Sequence, residues 1–330
     1  MAKSKNDLDI SVLIATYNRA EILRQTLESM TRLDQDGLSV EFVVVDNNSS
    51  DNTKEVIESF AGKLPIRYLF EPRPGKNCAL NKALKEVSLG KIVVFTDDDV
   101  TPREDWLTAI ASISERWSDY SVFGGKIYLI PPYNPVPKWV GHPFIPHSRL
   151  AAHDYADTEC LYARVRYPNG PNLWVRREIF ASGRTFNETV GPRPGSYIMG
   201  SESAFLEQLE ANGFRFVYSP QAVVRHRIRP EQLTLSHVRK RAFRFGRYVP
   251  HSKGLCRRSL FERHVMFWFL IRIGAIIRAA FQYLRGIACL SELRGIEMKV
   301  RSSMTLGYNV ESIKLAWKER REQFSRSNES

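Results

Sequence analysis

Hydrophobic positions in the first hundred residues come in short runs separated by helically spaced ones. Ile10 to Ala15 is an apolar, β-rich run, and Arg19 to Met30 follows with Ile22, Leu23, Leu27 and Met30 at helical intervals. The cycle repeats as Phe42 to Val45 then Asp51 to Phe60, and as Ile66 to Phe70 then Gly75 to Val87. It closes with Ile92 to Phe95, which runs into Asp97-Asp98-Asp99. Strands of four to six residues alternating with helices of about ten predict βαβ units and a mostly parallel sheet flanked by helices. Ligands of such sheets bind beyond the carboxyl ends of the strands. The residues just after each apolar run are therefore the ones to read for chemistry.

Residues 126–171 break the pattern, and Pro131 to Trp139 holds too many prolines for a helix or a central strand. Regular structure is expected again over Asn172 to Val175, then a helix over Glu202 to Asn212 stopped by Gly213. Short strands are expected at Phe216 to Tyr218 and Ala222 to Arg225. The last hundred residues read as helical. Met266, Leu270, Ile273, Ile277, Phe281 and Leu284 fall within roughly 80° of one another at about 100° per residue. The longest wholly apolar run there, Val265 to Ile271, is far short of the roughly 20 residues that cross a bilayer. The expected division is a first domain over residues 1–230 and a helical basic extension over 231–330.

Composition narrows the class. In 330 residues, 43% hydrophobic and 25% charged positions make an ordinary globular balance, which excludes disorder and collagen-like repeats. Cys78, Cys160, Cys256 and Cys289 lie far apart without CxxC pairing, as expected for reduced thiols rather than a zinc site or a disulfide framework. Met1 to Ile10 is polar and lacks the apolar core of a secretion signal, so a cytoplasmic protein is expected. The net charge of +12 is uneven: residues 1–220 hold 25 Lys+Arg against 28 Asp+Glu, and residues 221–330 hold 23 against 8. A last third at +15 suits an anionic partner, whether phospholipid, nucleic acid or a phosphate-bearing substrate.

Three adjacent carboxylates at a strand end repel one another unless a cation or strong donors compensate. A hard divalent ion, Mg²⁺ or Mn²⁺, would do so at Asp97, Asp98 and Asp99; the alternative is a solvated acidic turn capping the next helix. Asp46 closes the second strand and can accept hydrogen bonds from a base or ribose, or simply form a turn. Thr16, Tyr17 and Arg19 follow the first strand and offer a nucleotide a hydroxyl, an aromatic face and a cation. Lys76 opens a helix, where it can meet a phosphate oxygen or stand in solvent.

Taken together, Ser11 to Arg19, Val43 to Asp51, Gly75-Lys76-Asn77 and Thr96 to Asp99 resemble family 2 glycosyltransferases with the GT-A fold, and the similarity extends to about residue 230. Asn169 to Arg177 is similar to the family's acceptor-side Gly-x-Asn segment, which points to Asn172 and Trp174 on the acceptor side. The resemblance implies that Asp46 contacts the base or ribose, with Thr16, Tyr17 and Arg19 beside it. Asp97 and Asp99 would form the family's Asp-x-Asp around the metal, with Asp98 and Lys76 on the donor side. His226 matches a position where related enzymes have a histidine near the metal or diphosphate, and otherwise reads as a strand-end hydrogen-bonding residue.

At the catalytic base this chain departs from the family. Where the family has Gly-Glu-Asp, this sequence reads Gly200-Ser201-Glu202, which puts Glu202 at the base position. A glutamate carboxylate sits about one carbon–carbon bond farther from the backbone, so the geometry has to adjust. The other reading makes Ser201 a helix cap and Glu202 an ordinary first-turn acid.

The implied reaction is an inverting transfer from a nucleotide sugar, UDP-linked on family grounds, to a hydroxyl of a surface glycan or lipid-linked sugar. Two alternatives are a nucleotide-sugar binder without transfer and a nucleotidyltransferase; the lack of a glycine-rich phosphate loop after the first strand counts against the second. The basic, amphipathic tail fits peripheral contact with an anionic membrane better than nucleic acid, since no nucleic-acid module accompanies it. The alternative is a stripe packed away within the fold.

Overall fold

The computed structural model describes residues 8–252 and 265–327. Cys256, the first seven residues of the polar N-terminus and the side chain of Met266 lie outside the described residues. The opening alternation is present as β1 (Ile10–Thr16), α1 (Ala20–Met30), β2 (Val40–Asp46), α2 (Thr53–Glu58), β3 (Ile66–Phe70), α3 (Lys76–Glu86) and β4 (Ile92–Thr96). There follow β5 (Val100–Pro102), α4 (Trp106–Arg116), β6 (Val122–Ile130), β7 (Cys160–Leu161), β8 (Leu173–Arg176), α5 (Glu178–Ala181), α6 (Ser201–Ala211) and β9 (Phe216–Arg227). The strands form one sheet in the order β3-β2-β1-β4-β8-β6-β9-β5, with β7 on β9. β1 pairs in parallel with β2 and β4, as β2 does with β3 and β6 with β9; β8, β5 and β7 pair antiparallel.

Period-two alternation sorts the apolar side chains onto two faces. Ile10, Val12 and Ile14 of β1 join Phe42, Val44 and Val94 in a core covered by α1, α2 and α4. Leu13 joins Val43, Val45, Val93 and Phe95 on the opposite face, beneath α3 and α6. Burial on both faces is why these strands read as unbroken apolar runs.

Some boundaries differ from the sequence reading for local reasons. α2 is shorter than expected because Asp51 stands outside it: Asp51 Oδ2 accepts from the Ala20 amide (3.0 Å) and Oδ1 from the Thr53 amide (3.3 Å). The two short strands expected near 216–225 are one strand, β9. Its register against β6 jumps between Gly125 and Lys126, where Ser219 gives way to Val223, so the segment containing Pro220 bulges out of the ladder without ending it. The irregular stretch begins after Ile130 rather than at 126, because β6 continues along β9 to Arg227.

The chain divides into two compact units. The sheet unit holds the described residues through Pro132 with Ala151–Ser196 and Ser201–Ile228. The second takes in Tyr133–Leu150, Tyr197–Gly200 and the described residues from Arg229 onward. It contains α7 (Leu235–Ser252), α8 (Val265–Ala288) and α9 (Glu292–Ser327), with α9 packed against both of the others. Trp139 and Ile145, from the segment Tyr133–Leu150, are buried with Val238, Ala242, Ile296 and Val300 of this unit. Gly246 and Gly307 let α7 and α9 approach closely: a Cβ on either would overlap a main-chain carbonyl of the facing helix, Met304 O or Phe243 O.

Candidate active site

Parallel pairing brings the carboxyl ends of β1, β2 and β4 together, with Thr16 opposite Asp46 in the register. The loops beyond them are tied side to side. The Asn18 amide donates to Ser49 Oγ (2.9 Å), and Asn18 Oδ1 accepts from the Ser50 amide (2.7 Å). Asn18 holds a positive φ of 50°, a conformation that asparagine tolerates better than most residues. This leaves the neighbouring Tyr17 ring 42% exposed. Asp46 is buried; its Oδ1 accepts from the Ser49 amide (2.9 Å) and its Oδ2 from the Tyr68 hydroxyl (3.3 Å). Burial, aided by Asp46, pushes the Tyr68 phenol up to about 12.

The three aspartates after β4 do not form a solvated turn, since Asp98 and Asp99 are buried. Nor does a helix follow directly: β5 comes first and pairs with β9, and α4 begins only after Asp105. Asp98 points into the sheet unit, accepting from Thr16 Oγ1 (2.8 Å) and Arg19 (2.7 Å), while its carbonyl accepts from Thr26 Oγ1 (2.6 Å). Burial pushes its carboxyl up; Arg19 opposes this and Asp99 adds to it. Arg19 also reaches Asp99 (3.3 Å), and these carboxylates raise the guanidinium pKa further. Thr16 and Arg19 are thus engaged with the aspartates.

Pairing of β5 with β9 sets Val100 opposite His226, bringing the histidine Nε2 to 3.1 Å from Asp99 Oδ1. Asp97, Asp99 and His226 each present a ligand atom within 4.8 Å of the others. His226 Nδ1 is buried without a hydrogen-bond partner. Two carboxylates and an imidazole at such spacing fit a Mg²⁺ or Mn²⁺ ion.

Lys76, at the start of α3, bridges two carboxylates, with Nζ 2.6 Å from both Asp97 Oδ1 and Glu202 Oε1. Burial works against the ammonium, but Asp97 and Glu202 outweigh it and its pKa is raised. Glu202 stands in the first turn of α6 and its side chain is 20% exposed. The preceding Ser201 is buried and donates to Asn77 Oδ1 of α3. Gly170 makes room for the acid: a Cβ there would lie 2.5 Å from the Glu202 carboxyl carbon.

Asn172 and Trp174, expected on the acceptor side, are fully buried. Asn172 Nδ2 donates to the carbonyls of Lys126 (3.0 Å) and Ala222 (2.9 Å), and its Oδ1 accepts from the Trp106 indole (3.0 Å). Trp174 stacks on Phe123 and donates to Ser114 Oγ (3.1 Å). Both are struts between β6, β8, β9 and α4. Sequence reasoning missed the residues that hold the site together. Asn47 fixes the loop before Lys76 by donating to the Arg73 carbonyl (2.7 Å) and accepting from the Gly75 amide (2.7 Å). Arg227 ties the end of β9 to α1 and β5 through the carbonyls of Ile22 (3.2 Å) and Val100 (2.8 Å). Gly170 lies within a segment that carries the resemblance, but only the fold shows what it faces.

Known proteins are similar to this chain in sequence and in fold. The glycosyltransferase AglE of Haloferax volcanii is 25% identical over 245 residues, 72% of each chain. In fold, the chain is similar to TarS 1–349 of S. aureus in complex with UDP-GlcNAc (TM-score 0.54, 17% identity), covering 94% of this chain and 92% of that one. It is also similar to the mannosyltransferase PcManGT of Pyrobaculum calidifontis in complex with GDP-Man and Mn²⁺ (TM-score 0.55, 17% identity), covering 94% and 88%. The family model of glycosyl transferase family 2 matches residues 11–184, a span that runs from β1 past the aspartates to beyond α5. The chain therefore belongs to glycosyl transferase family 2 and is a glycosyltransferase.

Proposed function

We propose that this glycosyltransferase moves a sugar from a UDP-linked donor to a hydroxyl of a surface glycan or lipid-linked sugar, inverting the anomeric centre in one displacement. The observation that carries the reading is that Asp97, which clusters with Asp99 and His226, is linked through Lys76 to Glu202. Asp46 and the exposed Tyr17 ring take the uridine, and Arg19 holds Asp98 and Asp99 in place. Asp97, Asp99 and His226 would hold a Mg²⁺ or Mn²⁺ ion, which would supply Lewis-acid stabilisation for the departing diphosphate. Lys76 adds a cation beside it. The Glu202 carboxylate takes the proton from the acceptor hydroxyl, whose oxygen attacks the anomeric carbon as the bond to the diphosphate oxygen breaks on the opposite face.

Nucleotide-sugar complexes of proteins with the same fold support the donor class, with UDP-GlcNAc in TarS and GDP-Man with Mn²⁺ in PcManGT. The glycan acceptor is supported by TarS, named a poly(ribitol-phosphate) beta-N-acetylglucosaminyltransferase. On this reading residues 1–230 supply the chemistry, and the enzyme works peripherally on the cytoplasmic face of a membrane. Incubation with UDP-sugars, Mn²⁺ and a panel of saccharide and lipid-linked acceptors tests the reaction, with the product linkage read by NMR. The expected product has the anomeric configuration opposite to the donor's. A product that retains it would overturn the single displacement.

A further inference from the structure

The outer face of α8 carries large apolar side chains exposed in a row. Leu270, Ile273, Ile277, Phe281 and Leu284 recur at three- and four-residue intervals and are 58, 48, 63, 63 and 59% exposed. The opposite face already has its partner in α9. Trp268 and Ala279 are buried there, Ser302 Oγ donates to the Ala279 carbonyl (2.5 Å), and Arg272 lies over the rings of Trp268 and Tyr308. Packing inside this unit therefore uses one side of α8 and leaves the apolar stripe in water. Each such side chain gains free energy on leaving water, so an exposed row of five is a strong drive toward an apolar phase.

The charge of the helix says which phase. Its 24 residues include Arg272, Arg278 and Arg285 and no acidic residue. Arg278 and Arg285 are exposed, flank one edge of the stripe, and form no ion pair with any described residue. Docking a second copy face to face would bring these cations together with no carboxylate on the helix to compensate. A layer of lipid phosphates supplies the missing countercharge. Among the described residues no helix is long and apolar enough to cross a membrane, so the fit is to a surface.

We propose that the outer face of α8 docks on an anionic phospholipid bilayer. The helix lies in the interfacial plane, with Leu270, Ile273, Ile277, Phe281 and Leu284 at the acyl boundary and Arg278 and Arg285 at the headgroup phosphates. This rests on the reading of a peripheral membrane enzyme and adds the face and the lipid charge.

Co-sedimentation of the full chain with vesicles tests it, using phosphatidylcholine alone and with about 30 mol % phosphatidylglycerol. The expected result is binding at least about tenfold tighter to the anionic vesicles, weakened by salt. Ile277→Ser/Phe281→Ser is expected to lose about tenfold or more with its helical circular dichroism and Tm intact. Arg278→Gln/Arg285→Gln is expected to lose most of the preference for anionic lipid, and Ile277→Trp to shift its emission to the blue on binding. Wild-type binding that both double variants retain would overturn this face while leaving a peripheral enzyme standing. No wild-type binding would remove both. A wild-type dimer broken by Ile277→Ser/Phe281→Ser, without vesicle binding, would assign the face to a second copy. Transfer to a soluble acceptor is measured in parallel; a loss confined to vesicle binding separates this inference from the reaction itself.

Discussion

The sheet unit and the helical unit treat the same raw material in opposite ways. In α4 the apolar stripe of Trp106, Leu107, Ile110 and Ile113 is fully buried, and beyond the strand ends Arg19 and Lys76 are each shared between two carboxylates. In α8 the apolar stripe faces water, and none of its three arginines meets a carboxylate among the described residues: Arg278 and Arg285 are exposed, and Arg272 reaches only the Asn309 amide oxygen and two aromatic rings. Amphipathic spacing reports only that a helix has a face seeking apolar surroundings. Whether the protein itself provides them is settled by what else folds against that face. A region that closes its own books on charge and apolar area builds an interior site; one that leaves both open is built to meet something else.

The largest effect should come from the interior site. Glu202→Gln keeps the shape of the side chain but removes the base, so kcat should fall by about 10²–10⁴-fold while donor binding is retained. Gly170→Ala crowds the same carboxyl without touching its charge and should lower kcat by less, with Tm nearly unchanged. Equal binding and equal kcat in Glu202→Gln would show that the base lies elsewhere.

Next in size is a matched pair of truncations. Ile110→Ala in α4 should cost about 2–5 kcal/mol of stability through the cavity it leaves, whereas Ile277→Ala in α8 should stay within about 0.5 kcal/mol. Chemical denaturation of both variants reads the difference directly, and similar costs would erase the contrast between the two helices. Asn172→Ala should then cost about 1–3 kcal/mol, because two buried carbonyls and the Trp106 indole lose their partner. A variant of wild-type stability with a raised acceptor KM would return Asn172 to the acceptor side.

The smallest effect is a pH dependence in the helical unit. His237 is pushed down to about 4 by burial, with Arg241, Arg244, Arg229 and Lys240 adding to the shift, and His147 to about 4 by burial and Arg241. The folded state therefore holds these rings neutral while the unfolded chain takes up protons below about 6.5. Their contribution is complete above that pH and is lost as the pH falls toward 4. Tm should drop on acidification across this window, and His237→Gln should flatten the slope; an unchanged slope would contradict the shift.

Much of the sheet unit was legible in the sequence, because buried parallel strands write themselves as apolar runs and their ends as polar breaks. The triple aspartate, Asp46 and Lys76 could be picked out on that ground alone. What could not be read was pairing at a distance. Lys76 meets Glu202 from 126 positions away, and Arg19 meets Asp98 from 79. Asn172 and Trp174 illustrate the converse: these two residues of a segment that carries the family resemblance are fully buried and brace the sheet. The α8 stripe was visible as a pattern, yet its exposure depends on α9 having taken the other face.

On the proposed function, Asp97, Asp99 and His226 make a metal-dependent seat for a nucleoside diphosphate. Calorimetric titration of UDP, with and without Mn²⁺, into the wild type and Asp99→Ala decides whether it exists. The expected result is binding that needs the metal and disappears in the variant. Binding that is indifferent to Mn²⁺ and survives Asp99→Ala, or silence from UDP, GDP and dTDP alike, would contradict it.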